Sequence, residues 1–268
     1  MDGAKKVTAN GTRRLLASAT AVLHTVLMRL HRFFVEELLA PVAVRGAVKI
    51  KDKDLLHQWK HVFRFQVGHQ LILLDNSGSE FQAQISSLSG IVADLIILSS
   101  KISGATPSEE IWLFMSLIKK DKFEWVLEKG TEIGVSHFIP VLADRSEKKN
   151  FNHERGVKII KEAAEQSGRA KLSELGEICD LDETLKMVEQ IEQKNSFAIA
   201  LDPTGDQKFD KKLFENATKM ALFIGPEGGW SERELALFKK QNVAICTLGT
   251  AILRAETAAI VAPGLLLF

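Results

Sequence analysis

From about position 110 to its last residue the sequence alternates short apolar runs with longer amphipathic stretches, and nothing else in the chain restricts the fold so tightly. Residues 111–118 (IWLFMSLI) are a continuous apolar run, as a strand covered on both faces requires. Residues 137–142, 196–201, 220–224 and 243–248 read as further strands. Helices fall between them. Asp121 is placed to cap a helix over 122–133, and Gly134 to end it. Residues 154–167 form another helical stretch. Ser231 opens a helix that runs to Lys240, with Glu234 three positions on completing a capping box. A last helix follows residue 248, and the apolar ending 260–268, with Pro263 and Gly264, reads as the end of that core helix. Strand and helix in alternation predict an α/β fold, a parallel sheet covered by helices.

The earlier part reads differently. Residues 70–75 run into the turn signal Asn76-Ser77-Gly78, residues 80–85 alternate polar and apolar side chains, and 91–98 form another strand. One helix interrupts them, with Leu55, Leu56, Trp59, Val62 and Phe63 at helical spacing and Asp52 or Asp54 as its cap. Short strands with a single helix predict a small barrel. The division expected is 28–98 for the barrel and 99–268 for the α/β part, the Ser-, Gly- and Pro-rich residues 99–108 lying at the join. Residues 1–27 stand apart. They carry Lys5, Lys6, Arg13 and Arg14 against Asp2 alone, in a background of Ala, Ser and Thr. They read as an extension ahead of the fold, the alternative being an organelle-targeting peptide.

Bulk properties exclude several classes. Lys and Arg number 35 against 34 acids, so a nucleic-acid partner would have to meet a local basic surface. Cys179 and Cys246 lie far apart without metal-ligand spacing, which predicts neither a disulfide framework nor a metal site and fits the cytoplasm. No apolar run approaches the length of a membrane span.

Ligands of open α/β sheets bind beyond the carboxyl ends of the strands, and three stretches qualify. The first is Ile224, Gly225, Pro226, Glu227, Gly228, Gly229 and Trp230, a tight loop between a strand and a helix. It has neither the dinucleotide fingerprint nor a phosphate loop, and Glu227 would repel phosphate. An adenosine carrying a cationic sulfonium suits it better, although a plain strand-to-helix turn has the same glycines. The second stretch runs from Leu248 and Gly249 through Ala251, Ile252 and Leu253 to Arg254, Glu256 and Thr257. Ile252 and Leu253 are apolar in a loop, as the wall of an adenine pocket would be. The plainer reading is a helix start with a surface ion pair. The third stretch sets Glu162, Glu165, Gln166 and Arg169 along one helix face, which solvation alone explains.

Taken in order, these motifs resemble the ribosomal RNA small subunit methyltransferase E family, of the SPOUT superfamily. The resemblance runs from Met28 almost to Phe268. It is carried by MRLHRFFV at 28–35, HVFRFQVGHQL at 61–71, Lys119, WVLEKGTEIGV at 125–135, Pro140 and Arg145-Ser146. EQSGR at 165–169, IGPEGGWSERE at 224–234 and LGTAILRAETA at 248–258 complete it. Ala251 stands where the family usually has a basic residue, and no proline follows EQSGR at short distance. The resemblance implies a PUA-like β-barrel that grips RNA, followed by a SPOUT α/β-knot domain with a deep trefoil knot. It also implies S-adenosylmethionine held by Gly225 to Gly229 and Leu248 to Leu253, a homodimer, no metal, and methylation of uridine N3 in small-subunit ribosomal RNA within the assembled subunit.

Under that reading Glu256 or Glu227 serves as base, and Arg254 or Arg169 stabilises the uridine anion. RNA contacts are expected from Arg29, His31, Arg32, Lys60 and Arg64, with Lys119 and Arg145 from the second part. A ribose 2′-hydroxyl or a transfer RNA as target, and a non-catalytic RNA-binding assembly factor, remain open. A nucleotide-dependent enzyme is disfavoured by the missing phosphate loop.

Overall fold

The computed structural model describes residues 30–39, 45–105, 107–191, 196–214 and 217–268. The expectations for residues 1–27 and for Arg29 lie outside these. A five-stranded sheet comes first. Its strands are β1 (Arg32–Phe34), β2 (Ala47–Ile50), β3 (Gln70–Leu74), β4 (Ser79–Leu88) and β5 (Ala93–Ile102), in spatial order β1-β3-β4-β5-β2. All pairs are antiparallel except β1 with β3. Two register shifts, at Gln82/Ala83 and at Ile85/Ser87, bend the long β4–β5 pair. The helix α1 (Lys53–His57), capped by Asp52 through the backbone N–H groups of Asp54 and Leu55, continues as a π-helix over Gln58–Val62. It drops Leu56 and Trp59 onto Phe33, Ile50, Leu71 and Leu73, the apolar core of this sheet. Three of the five strands were foreseeable; β1 and β2 were not, being too short to show a period. Residues 99–102, expected at the join, complete β5.

The second sheet has eight strands: β6 (Glu110–Ser116), β7 (His137–Leu142), β8 (Glu174–Leu175), β9 (Cys179–Asp180), β10 (Ser196–Leu201), β11 (Gln207–Lys208), β12 (Lys219–Ile224) and β13 (Ala244–Thr247). Every pairing in it is parallel, in the order β11-β13-β10-β12-β6-β7-β8, with β9 also on β7. Alternate residues of the central strands serve two cores. Ile111, Leu113, Met115, Leu222 and Ile224 face α2 (Lys120–Ile133) and the last helix. Phe114, Ala221 and Phe223 face the opposite layer, built by α4 (Leu181–Ile191) and α5 (Glu232–Lys240). Burial on both faces is why these strands are apolar throughout.

Helix α3 (His153–Ser167) is capped by Asn152 and stops at Gly168; α6 (Ala255–Leu267) runs through Pro263 to the chain end. Asp121 is not a cap. Lys119 holds that position, without a side-chain bond, and Asp121 sits in the first turn, where a carboxylate favours the positive end of the helix. Gly134 ends α2 in the left-handed conformation, as expected. After β12 the chain crosses through α5 to β13 on the far side of β10. It then returns through α6, which packs on α2, β12 and β6.

Candidate functional site

The carboxyl ends of β10, β12 and β13 open onto a cleft of about 950 Å³. Two of the three sequence stretches form it. The loop after β12 supplies Ile224 through Trp230, and the segment after β13 supplies Leu248 through Glu256. β13 lies on the opposite side of β10 from β12, so the cleft sits where the strand order reverses, the usual ligand position in open α/β sheets.

The loop after β12 is held from below and from the side. Trp230 is buried, donates from Nε1 to the Leu201 carbonyl at 3.1 Å, and lies against Gly225. A Cβ at position 225 would stand 3.2 Å from the indole, close enough to press on the ring. Gly229 has φ 69°, a conformation glycine adopts without strain, and its N–H bonds the Pro226 carbonyl at 2.9 Å. From the side, the Arg145 guanidinium donates to the Gly228 carbonyl at 2.9 Å. Arg145 is fixed in turn by its neighbour. Asp144 takes two hydrogen bonds from Arg233, at 2.7 and 3.1 Å, and one from the Ser231 hydroxyl, while its own N–H donates to Glu234 at 2.9 Å. The Arg233 guanidinium holds the Asp144 carboxyl below its ordinary range. Glu234 is fully buried and also accepts from the Ser231 N–H at 2.7 Å, closing the capping box of α5.

The second wall is apolar where it meets the core and polar where it opens. Leu248 and Leu253 are half-buried against the sheet's core; Ile252 lines the cleft but is 81% exposed. Arg254 stands exposed at the start of α6, and Glu256 follows in its first turn. Both line the cleft, as do Lys119, Lys122 and Glu227 on the facing rim. The Lys119 N–H donates to a Glu227 carboxylate oxygen at 3.4 Å. The cleft also contains Asp202 with Pro203, which the sequence reading missed. Asp202 follows β10, is buried, and accepts from the Thr204 N–H and hydroxyl at 2.8 and 2.6 Å. The signal was present, since Asp-Pro-Thr-Gly after a strand occupies the same carboxyl edge as the other two loops.

Other expected site residues lie elsewhere. Arg169 does not line the cleft. It is 3% exposed and donates to the carbonyls of Thr131 and Val135, at 3.0 and 2.7 Å, and to the Ser173 hydroxyl at 3.2 Å. Burial pulls its guanidinium down to about 10. The face of α3 read as solvated is thus partly internal, and burial likewise pushes the Glu165 carboxyl up. Arg32 is largely buried, 3.5 Å from Glu80, and its guanidinium lies over Gly168. His31, Lys60 and Arg64 are exposed, and Arg64 takes φ 53°. Among the described residues no cluster of His, Cys, Asp and Glu is arranged to hold a metal ion, and no helix is long and apolar enough to cross a membrane.

The cleft has the size of a small-molecule site, for which about 300–1,000 Å³ is typical. Its apolar walls suit an adenine, and three carboxylates and three cations line its polar part. Residues 105–267 match the model of the RNA methyltransferase domain family. The ribosomal RNA small subunit methyltransferase E of Bacillus subtilis is 27% identical over 241 residues, covering 85% of this chain and 93% of that protein. A protein of Borreliella burgdorferi, ribosomal RNA small subunit methyltransferase E 2, is 31% identical over 231 residues, covering 79% and 87%. Among solved structures, a Legionella pneumophila methyltransferase with its bound cofactor S-adenosylmethionine superposes with a TM-score of 0.76 at 26% identity, covering 89% of this chain and 97% of that one.

Proposed function

Because the chain belongs to the RNA methyltransferase family, as a relative of the ribosomal RNA small subunit methyltransferase E proteins, we propose that it methylates small-subunit ribosomal RNA with S-adenosylmethionine, at N3 of a uridine. The observation that carries this reading is that two glycine-bearing loops and the Asp202 turn converge on one cleft. The loop from Gly225 to Gly229 offers backbone to the cofactor, Leu248 and Leu253 offer an apolar wall, and Asp202 offers a carboxylate to its polar groups. When bound, the cofactor supplies an electrophilic methyl group and its own leaving group, so no covalent enzyme intermediate is needed.

The chain must then align uridine N3 with the methyl carbon and remove the N3 proton. Glu256 and Glu227 are the carboxylates at hand for the proton. Arg254 is the cation beside them, and it stabilises the negative charge that develops on the uracil ring. Arg169 is left out of this step because it does not line the cleft, its Nη1 being engaged at the end of α2. N3 lies on the Watson–Crick edge, so the uridine has to be unpaired or flipped out. In this reading Lys119 and Lys122 on the rim, with Lys60 in the π-helical turn and Arg64 just after it, meet RNA phosphates, while Arg145 supports the cofactor loop.

In this reading the first sheet is the PUA-like RNA-binding domain and the second the SPOUT domain. The return of α6 across the sheet after the crossover to β13 supports a trefoil knot, and the fold of a Neisseria gonorrhoeae ribosomal RNA small subunit methyltransferase E, at TM-score 0.78 and 24% identity, agrees in overall shape. The assembled small subunit is the substrate, the working form a homodimer, and the location the cytoplasm. Calorimetry tests the cofactor assignment. S-adenosylmethionine should bind with micromolar affinity, about −8 kcal/mol. Gly228→Val should abolish binding, since even a Cβ there meets Arg145 at 3.3 Å. A wild-type protein that binds no S-adenosylmethionine contradicts the assignment.

A further inference from the structure

The EQSGR segment, residues 165–169, touches the cleft nowhere, yet Arg169 is buried and Glu165 half-buried. What it does touch is the seam between the two sheets. Glu165 accepts the Phe34 N–H of β1 at 2.9 Å. The Gly168 carbonyl accepts from the Ser103 hydroxyl, just beyond β5, at 3.1 Å. The Ala170 carbonyl accepts from the Gly78 N–H at 3.2 Å, and the Leu172 N–H donates to the Asn76 side chain at 2.7 Å. Four hydrogen bonds from eight consecutive residues therefore reach β1, the β3–β4 turn and the end of β5. Gly168, at φ 86°, also admits the Arg32 guanidinium, which would lie 3.4 Å from a Cβ at that position.

Arg169 points the other way. It gathers the carbonyls of Thr131, in the last turn of α2, and of Val135, just beyond its Gly134 stop, and its charge suits the negative end of that helix. Among the described residues no carboxylate pairs with it, so its role is not that of an ion pair. The far end of α2 carries Lys119 and Lys122 into the cleft. A hydrogen-bonded line thus runs from β1 through Glu165 to Arg169, along α2, to the cleft rim. Apolar side chains would fill a buried helix face at less desolvation cost, whereas hydrogen bonds to fixed backbone atoms tolerate little displacement.

We propose that residues 165–172 brace the first sheet against the methyltransferase half, and that Glu165 and Arg169 are positioning residues that set where RNA is presented relative to the cleft. The functional part of this inference rests on the RNA methyltransferase reading; the brace itself does not. The test compares Glu165→Ala, which removes the acceptor, with Glu165→Gln, which keeps it. In Glu165→Ala, amide hydrogen exchange over residues 32–35 and 76–79 should quicken roughly tenfold or more, as expected for a lost hydrogen bond to a charged group. S-adenosylmethionine affinity should stay within about twofold, and KM for small ribosomal subunits should rise about tenfold with kcat little changed. Glu165→Gln should behave as wild type in all three. Unchanged exchange in Glu165→Ala overturns the brace. Faster exchange with an unaltered KM, or with a matching fall in cofactor affinity, overturns the positioning role. A wild-type chain that methylates no RNA contradicts the proposed function instead, and the exchange comparison still decides the brace.

Discussion

At the scale of single residues, charge and exposure separate groups that sequence spacing put together. Arg254 and Arg169 were equal candidates for the cation beside the reacting base. Helical period shows which residues share a face, but not whether that face meets solvent or another sheet, and here α3 meets the first sheet. Arg169 is therefore a buried helix cap, while Arg254 stands in the cleft with its side chain exposed. If Arg254 faces the developing anion, Arg254→Ala should lower turnover by about 10²–10³ and leave the calorimetric affinity for S-adenosylmethionine nearly intact. Equal turnover in wild type and variant would remove Arg254 from the mechanism. Arg145 makes a contact that spacing did not show. Nothing in the sequence says that it bonds the Gly228 carbonyl, because the two are brought together only by β7 and β12, on either side of β6, and by the Asp144–Arg233 pair.

At the scale of elements, local signals were reliable where one residue completes them and silent where packing decides. The capping box of α5 and the Gly134 stop of α2 were legible because each satisfies helix-end groups within a few residues. The π-helical continuation of α1, the short strands β8, β9 and β11, and helix α4 were not read. Their signals are too brief, or they depend on the sheet they join. The box also has a consequence that only the fold reveals. Glu234 binds both the Ser231 N–H and the Asp144 N–H, so it joins the start of α5 to the loop that holds Arg145. Glu234→Ala should orphan both donors and cost roughly 2 kcal/mol. For a chain of this size that is a fall of about 4–8 °C in Tm by calorimetric melting. A variant that melts with the wild type would show that the box is not supporting the loop.

At the scale of the whole molecule, the parallel sheet and the position of the cleft were legible, because buried parallel strands are apolar and ligands gather at their carboxyl edge. The order of the strands was not, since no local pattern encodes the crossover to β13 or the return through α6. α6 presents an exposed apolar stripe of Val261, Leu265 and Phe268, and Trp125 is exposed on the neighbouring α2. A second copy of the chain is the occupant proposed for this face. Light scattering at micromolar concentration should give twice the chain mass for the wild type and the chain mass for Leu265→Asp; a wild-type monomer would contradict the dimer. The central claim concerns the RNA. Small ribosomal subunits lacking the modification should be incubated with the protein and S-adenosylmethionine, and the methylated nucleosides mapped by mass spectrometry and reverse-transcriptase stops. The account predicts one methyl group on N3 of one uridine, with a stop beside it because the Watson–Crick donor is gone. A methyl group on a ribose, or no stop at any uridine, would contradict it.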